Sequence, residues 1–286
     1  MDINVDSRLP ILVFGGPYSN FQALEAMQAI AARHRIPPSQ IICTGDLVAY
    51  CAEPEETAVA CRDWGIHIIQ GNCEEQIAAN ADNCGCGFED GTSCSVLSNS
   101  WYAYAQSQIS DKTRSWMAGL PKVLRFDLFG KRCSVIHGAY DEINRFIFPS
   151  TAANEKCLQL SEAQADIMIA GHSGIPFIEQ TDQGIWFNPG VIGMPANDGT
   201  TDGWYGIIDA TSEGIKFSTH RLQYNSGLAA ERLSVKGFAD PYAKSLVSGI
   251  WPSDDMLPNY EKSVAGKIIN KNSLIAFNSE DINFCS

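Results

Sequence analysis

No stretch of the 286-residue chain approaches the roughly 18 consecutive apolar residues that a membrane span needs. The opening Met1-Asp2-Ile3-Asn4-Val5-Asp6 has neither the basic start nor the apolar middle of an export signal. The expectation is a cytoplasmic protein with no membrane partner. Basic residues are scarce: 20 Lys and Arg stand against 33 Asp and Glu, for a net charge of −13, and no Lys/Arg-rich run occurs. Such a chain is poorly suited to bind nucleic acid by neutralising phosphates, and its acidity reads as a solubility feature. Internal repeats and low-complexity segments are absent. With 45% hydrophobic and 19% charged residues, the chain can bury a full core and is not disordered. Cysteines number ten, but the usual Cys-x-x-Cys zinc spacing is missing. A reducing compartment opposes disulfides. Cys43, Cys61, Cys133 and Cys157 stand in apolar contexts and read as small buried hydrophobes. Cys84-Gly85-Cys86, with Cys94 further on, reads as a surface loop that either zinc or a disulfide would suit.

The order of elements is alternating at first. Residues 9–14 read as a strand and Gly15-Gly16-Pro17 as a turn. Ser19 or Asn20 caps a helix whose apolar positions are Leu24, Met27, Ile30 and Ala31. Short runs at 41–44 and 66–69 read as strands, with a helix over about 54–64 between them that opens on Pro54, Glu55 and Glu56. This pattern predicts a sheet covered on both faces. Residues 80–95, rich in Gly, Asn, Asp and Cys, predict a loop, and 95–118 a helix anchored by Trp101, Tyr104 and Trp116. A hairpin turns at Phe129-Gly130-Lys131. A helix near 152–163 and strands near 166–170, 176–180, 184–187, 203–209 and 215–221 follow. Residues 228–286 read as a mostly helical extension packed on a domain spanning 1–227, and as a candidate surface for self-association.

Four glycine-flanked polar signals stand out: Gly45-Asp46, Gly71-Asn72, His137-Gly138 and Gly171-His172. Each follows a short apolar run that glycine stops, the pattern of a buried strand. An Asp, an Asn and two His are therefore placed at strand ends, the edge where open α/β sheets bind ligands. One carboxylate, one amide oxygen and two imidazoles suit a borderline divalent cation such as Zn, Mn, Fe or Co. Asp46 alone would read as a turn or helix-cap residue; its company favours ligation. His67, inside an apolar strand, reads as a satisfied core histidine, and His34 and His220 receive no role. The aromatics Trp101, Tyr102, Tyr104, Trp116 and Trp204 read as core or rim. Tyr140, Asp141, Asn144 and Arg145 follow His137 closely. They either line a pocket, with Arg145 on a phosphate, or form a solvated loop.

Taken in order, Gly45-Asp46, Gly71-Asn72-Cys73-Glu74, His137-Gly138, Gly171-His172 and Asn188-Pro189-Gly190 resemble the calcineurin-like metallophosphoesterase superfamily. The branch they are most similar to is its small bacterial phosphodiesterases. Val48, Tyr50, Pro54 and Glu56 after Asp46, and Gly193-Met194-Pro195, extend the match, which spans roughly residues 9–222. The resemblance implies an α/β fold, a four-layer α/β/β/α sandwich with two mixed sheets. It also implies two metals at the strand ends, which clamp a small phosphorylated substrate and activate a water. It assigns Asp46, Asn72, His137 and His172 to one metal, Asp46 bridging to the other. Asn197 and Asp198 fall at the expected pocket edge.

The other metal of the family draws on an Asp-x-His motif and on the last His of Gly-His-x-His. Here those positions are Gly16, Tyr18 and Gly174. The expectation is one ion per chain, or a second ion held by other groups. Tyr18, with Asn20 in the same turn, and Arg145 become the substrate-binding candidates. Tyr18 would donate to a phosphate oxygen, and the amides of Gly15 and Gly16 would cradle an anion. The resemblance makes Asp46, Asn72, Cys73 and Glu74 the catalytic candidates. Where the family has a His at the position of Cys73, it protonates the leaving group. A thiol with pKa near 8.5 is a poorer acid for an alkoxide. Two functions remain open. One is a metal-dependent phosphoesterase for a small mono- or diester, with low activity. The other is an inactive relative that binds a metal or phosphorylated ligand as sensor or scaffold.

Overall fold

The computed structural model describes residues 1–86, 91–237 and 240–278. Two mixed sheets face each other. The first has six strands: β1 (Ile11–Phe14), β2 (Ile41–Cys43), β3 (His67–Ile68), β9 (Gly203–Thr211), β10 (Gly214–Leu222) and β11 (Ser273–Asn278), in the order β11-β10-β9-β1-β2-β3. The second has β4 (Leu124–Leu128), β5 (Lys131–Val135), β6 (Ile167–Ile169), β7 (Phe177–Gln180) and β8 (Ile185–Asn188), in the order β4-β5-β6-β8-β7. The pairs β1–β2, β2–β3, β5–β6 and β6–β8 are parallel and the rest antiparallel.

Strand alternation explains the layering. Ile11, Val13 and Ile42 point to the inner face, where they meet Val135, Ile167, Ile169 and Phe187 of the other sheet. Leu12, Phe14, Ile41 and Cys43 point outward, against α1 (Phe21–His34) and α2 (Pro54–Trp64). On the far side, Met168 and Trp186 pack with Leu160 of α6 (Ala153–Glu162). The result is the four-layer α/β/β/α sandwich with two mixed sheets that the family resemblance implied.

Several elements differ from the sequence reading. A helix, α3 (Asn72–Ala79), starts at the Asn itself, directly after the strand end. The segment read as one helix over 95–118 is two, α4 (Ser93–Gln108) and α5 (Asp111–Ala118). The break comes where the Ser110 side chain accepts from the Thr113 amide and caps the second helix. Of the loop read over 80–95, residues 87–90 lie outside the description, and α4 already begins at Ser93. The extension is not purely helical. After α7 (Ser226–Ser234), α8 (Asp240–Ser248) and α9 (Asn259–Val264), β11 joins the edge of β10. Within the segment read as the extension, Leu233 and Leu246 are fully buried, and Arg232 pairs with Glu53. Among the described residues, no helix is long and apolar enough to cross a membrane.

Candidate metal centre

Two pairs of parallel strands, one in each sheet, lead to the centre, and each strand ends two to four residues before one of its polar residues. β2 leads to Asp46, β3 to Asn72, β5 to His137 and β6 to His172. Two of these strands belong to each sheet, so the centre bridges both. Asp46 and His172 have φ of 57° and 59°, a backbone region that residues with a Cβ seldom occupy. Such strain persists where surroundings hold it, which is common at functional sites.

His137 Nε2 lies 3.0 Å from Asn72 Oδ1, 3.1 Å from His172 Nδ1 and 3.2 Å from Asp46 Oδ2. All four residues are buried. His137 Nδ1 donates to the Thr44 carbonyl at 2.6 Å, which turns Nε2 toward the other three atoms. Two oxygen acceptors, Asn72 Oδ1 and Asp46 Oδ2, thus face Nε2, and a proton or a cation at the centre satisfies them. Burial works against charge on His137, yet the Asp46 carboxylate outweighs it and raises the pKa. Burial lowers the pKa of His172 to about 3, with His137 adding to the effect, so its ring stays neutral with a lone pair available. Burial also opposes the charge on Asp46, but His137 overrides it and holds the carboxyl below its usual range. An O/N donor set with neutral imidazoles fits a borderline divalent cation.

Residues outside the ligand set fix its geometry. Asn72 Nδ2 donates to the Cys84 carbonyl at 2.9 Å, so its oxygen faces His137. Asn188 Nδ2 donates to Gly171 O at 2.8 Å and to Ser173 Oγ at 3.0 Å, bracketing His172. Phe146 stacks on the His172 ring with centroids 4.1 Å apart. The sequence reading missed Thr44, Cys84 and Phe146 as supports. Asn188 lay in the Asn-Pro-Gly signal without a stated role.

Glu74 and Cys73 are both buried, and neither lines the pocket that Asp46 and His172 share. Glu74 is fully buried, and its carboxylate accepts from the amides of Asp46 (2.8 Å), Gly71 (2.9 Å) and Val48 (3.3 Å). It holds the Asp46 turn. Burial, then the Asp46 charge, raises its pKa to about 7. Cys73 is buried at the start of α3, its amide donating to Asp46 Oδ1 at 3.3 Å. Burial pushes its thiol pKa well up.

The substrate-binding candidates divide. Tyr18 lines a pocket together with Asp46 and His172. Asn20 turns away: its Oδ1 caps α1 through the Ala23 amide at 3.1 Å, and its Nδ2 donates to Gly193 O at 2.9 Å. Arg145 is drawn off by three carboxylates, Asp141 at 3.0 Å, Glu142 at 3.1 Å and Glu155 at 4.0 Å, and does not line the pocket. Asn144 ties the Gly85 carbonyl at 2.9 Å. Asn197 and Asp198 anchor the extension, Asn197 Oδ1 accepting from the Trp251 amide at 2.8 Å and Asp198 Oδ2 from the Ile269 amide at 3.1 Å, while Asp198 also pairs with Arg221 of β10 at 2.6 Å. His67 is only half-buried, on the Ser39 carbonyl at 3.2 Å. Cys84 and Cys86 are joined as a disulfide, one of the two arrangements expected of this loop; the side chain of Cys94 lies outside the description.

The profile of the calcineurin-like phosphoesterase superfamily domain matches residues 21–213. The match covers more than half of the chain, and the protein belongs to this superfamily. An uncharacterised protein of Methanocaldococcus jannaschii is 23% identical over 240 residues, 78% of this chain and 91% of that one. A hypothetical protein of Pyrococcus horikoshii aligns in structure with a TM-score of 0.72 at 17% identity, over 85% of this chain and 99% of its own. A metallophosphoesterase of Sphaerobacter thermophilus aligns with a TM-score of 0.66 at 19% identity, over the same shares. At such identities the two structures speak for the fold. Members of the superfamily bind divalent metals, and Asp46, His137 and His172 form a cluster able to hold one.

Proposed function

We propose that this protein is a metal-dependent phosphoesterase that hydrolyses a small phosphate ester at a centre built for one divalent cation. The observation that carries this reading is the convergence of Asp46, Asn72 and His172 within about hydrogen-bond distance of His137 Nε2, with Asp46 and His172 lining a pocket. Among the described residues, Asp46, His137 and His172 are the one such cluster. The glycines at 16 and 174 and the tyrosine at 18 leave no ligands for a second ion at the positions the family uses. When bound, a divalent cation polarises a phosphoryl oxygen and brings the pKa of a water toward about 7.

The chain's own groups then define the rest. Asp46 and His172 face the pocket, so the phosphoryl group approaches from that side. Burial and the neighbouring Asp46 push the Tyr18 phenol well above its ordinary pKa, so it meets a phosphoryl oxygen as a neutral donor. Among the described lining residues, Asp46 is the one carboxylate and His172 the one imidazole, and both are ligands. Neither is free to give a proton to a leaving oxygen, and Cys73 lies outside the pocket lining. Esters with good leaving groups should react fastest.

That same burial of Cys73 and Glu74 favours a second reading, a sensor or scaffold that binds a metal and a phosphorylated ligand without turnover. Metal analysis of protein purified without added metal, paired with turnover of an aryl phosphate mono- and diester, separates the two. The enzyme reading expects one equivalent of metal and turnover lost in Asp46→Ala and His137→Ala. Bound metal with no turnover under any divalent supplement selects the sensor.

A further inference from the structure

A pocket of about 680 Å³, part of it open to solvent, runs from Asp46 and His172 to the C-terminal extension. Its walls are aromatic and aliphatic, with Tyr18, Val191 and Met194 from the domain and Tyr242, Trp251 and Met256 from the extension. Among the described lining residues there is no Lys or Arg.

Two close contacts show how this wall relates to the lost ligands. A Cβ on Gly16, at φ +43°, would lie 2.6 Å from carbons of the Tyr18 ring and 2.7 Å from Val191 Cγ1. A Cβ on Gly174, at φ +70°, would lie 3.3 Å from the Trp251 ring. The rings thus stand where side chains at these two positions would project. Trp251 is pinned before any ligand arrives. Its amide donates to Asn197 Oδ1 at 2.8 Å, and its indole N–H to the Pro195 carbonyl at 2.6 Å. A rigid aromatic surface loses little freedom on binding.

We propose that this pocket is the subsite for a flat, uncharged arm of the phosphate ester, an aryl-type ring, and that Trp251 and Tyr242 of the extension are its specificity residues. The inference rests on the phosphoester reading, because the centre of Asp46 and His172 holds the phosphoryl end. A flat ring gains contact and stacking against these walls. A charged arm would be desolvated with no cation to pair it, which is costly.

Calorimetric titration of the Mn²⁺-loaded full-length protein with phenylphosphonate and methylphosphonate tests this. Neither probe is hydrolysed, and both carry the same charged group, so the difference reports the ring. Phenylphosphonate should bind about tenfold or more tightly. Trp251→Ala should weaken phenylphosphonate about tenfold but methylphosphonate less than twofold, with Mn²⁺ still bound. Trp251→Phe should restore most of the preference, and Met256→Ala should erode it without touching Trp251. Equal affinities in the unaltered protein overturn the subsite and leave the phosphoester reading standing. A preference that survives Trp251→Ala overturns the assignment of Trp251. If neither phosphonate binds the loaded protein, the phosphoester reading itself fails, and this inference with it.

Discussion

Replacing Glu74 by Gln sets two opposed forces against each other. The Glu74 carboxylate takes three backbone amides, those of Asp46, Gly71 and Val48, which favours its charged form. Its complete burial and the nearby Asp46 charge oppose that form and prevail, raising the pKa from 4.5 to about 7. Gln keeps one acceptor oxygen for the two short bonds, loses the 3.3 Å bond to Val48, and never ionises. A carboxyl whose folded pKa is raised contributes stability that is fully present below the unfolded value and is lost as pH climbs through the folded one. The window here runs from 4.5 to about 7. Over it, the metal-free native protein should lose on the order of 3 kcal/mol relative to Glu74→Gln. Urea unfolding of both metal-free proteins at pH 5, 6, 7 and 8 measures the difference, and groups common to both cancel. The variant should gain on the parent as pH rises, by about 2–3 kcal/mol between the ends of the series. Saturating Mn²⁺ should flatten the trend, since a cation offsets the Asp46 charge. A flat difference without metal, or one that moves against Gln, would refute the reasoning: the three amides would then govern the charge state.

Metal uptake should release a proton at pH 6, because Asp46 raises the His137 pKa and a cation must displace that proton. Calorimetry in two buffers of different ionisation heat reads the release, which should fade as pH rises; no release at pH 6 contradicts the assignment. Asp198→Ala removes the acceptor that joins Arg221, the Ile269 amide and Thr200, and leaves Arg221 over the Trp204 ring without its buried partner. The expected loss is about 3–5 kcal/mol in denaturant unfolding, with a smaller one for Asp198→Asn. Gly16→Asp should not install a second ion. Its Cβ would meet the Tyr18 ring and Val191, so metal analysis should still find one equivalent, with stability lowered by about 1–3 kcal/mol.

What could be read from the sequence was local. Short β-branched runs stopped by glycine marked β2, β3, β5 and β6, so the residues just past them could be placed at one edge. Glu74 was harder, because a carboxylate that serves catalysis and one that gathers backbone amides have the same letter. Only its burial and three amide donors separate them. For Arg145 a signal was present: Asp141 and Glu142 stand four and three residues before it, and both claim its guanidinium. β11 depended on something no local pattern carries, the open edge of β10 that it pairs with. Trp251 and Met256 looked like punctuation in a tail. The place of Trp251 follows from Asn197, more than fifty residues earlier, which holds its amide.

The extension therefore has two separable connections to the domain. One is structural: β11 on β10, Arg232 on Glu53, and Asp198 binding Arg221 and the Ile269 amide. The other is the wall of Tyr242, Trp251 and Met256 at the pocket. None of these residues belongs to the ligand set of Asp46, Asn72, His137 and His172. Changes in the wall should alter which ester arm is accepted while the cation stays bound. Changes in the anchors should lower stability first and affect recognition only as the wall is released. On the proposed reading, cation binding and arm recognition thus draw on different stretches of chain, which meet at the pocket that Asp46 and Trp251 share.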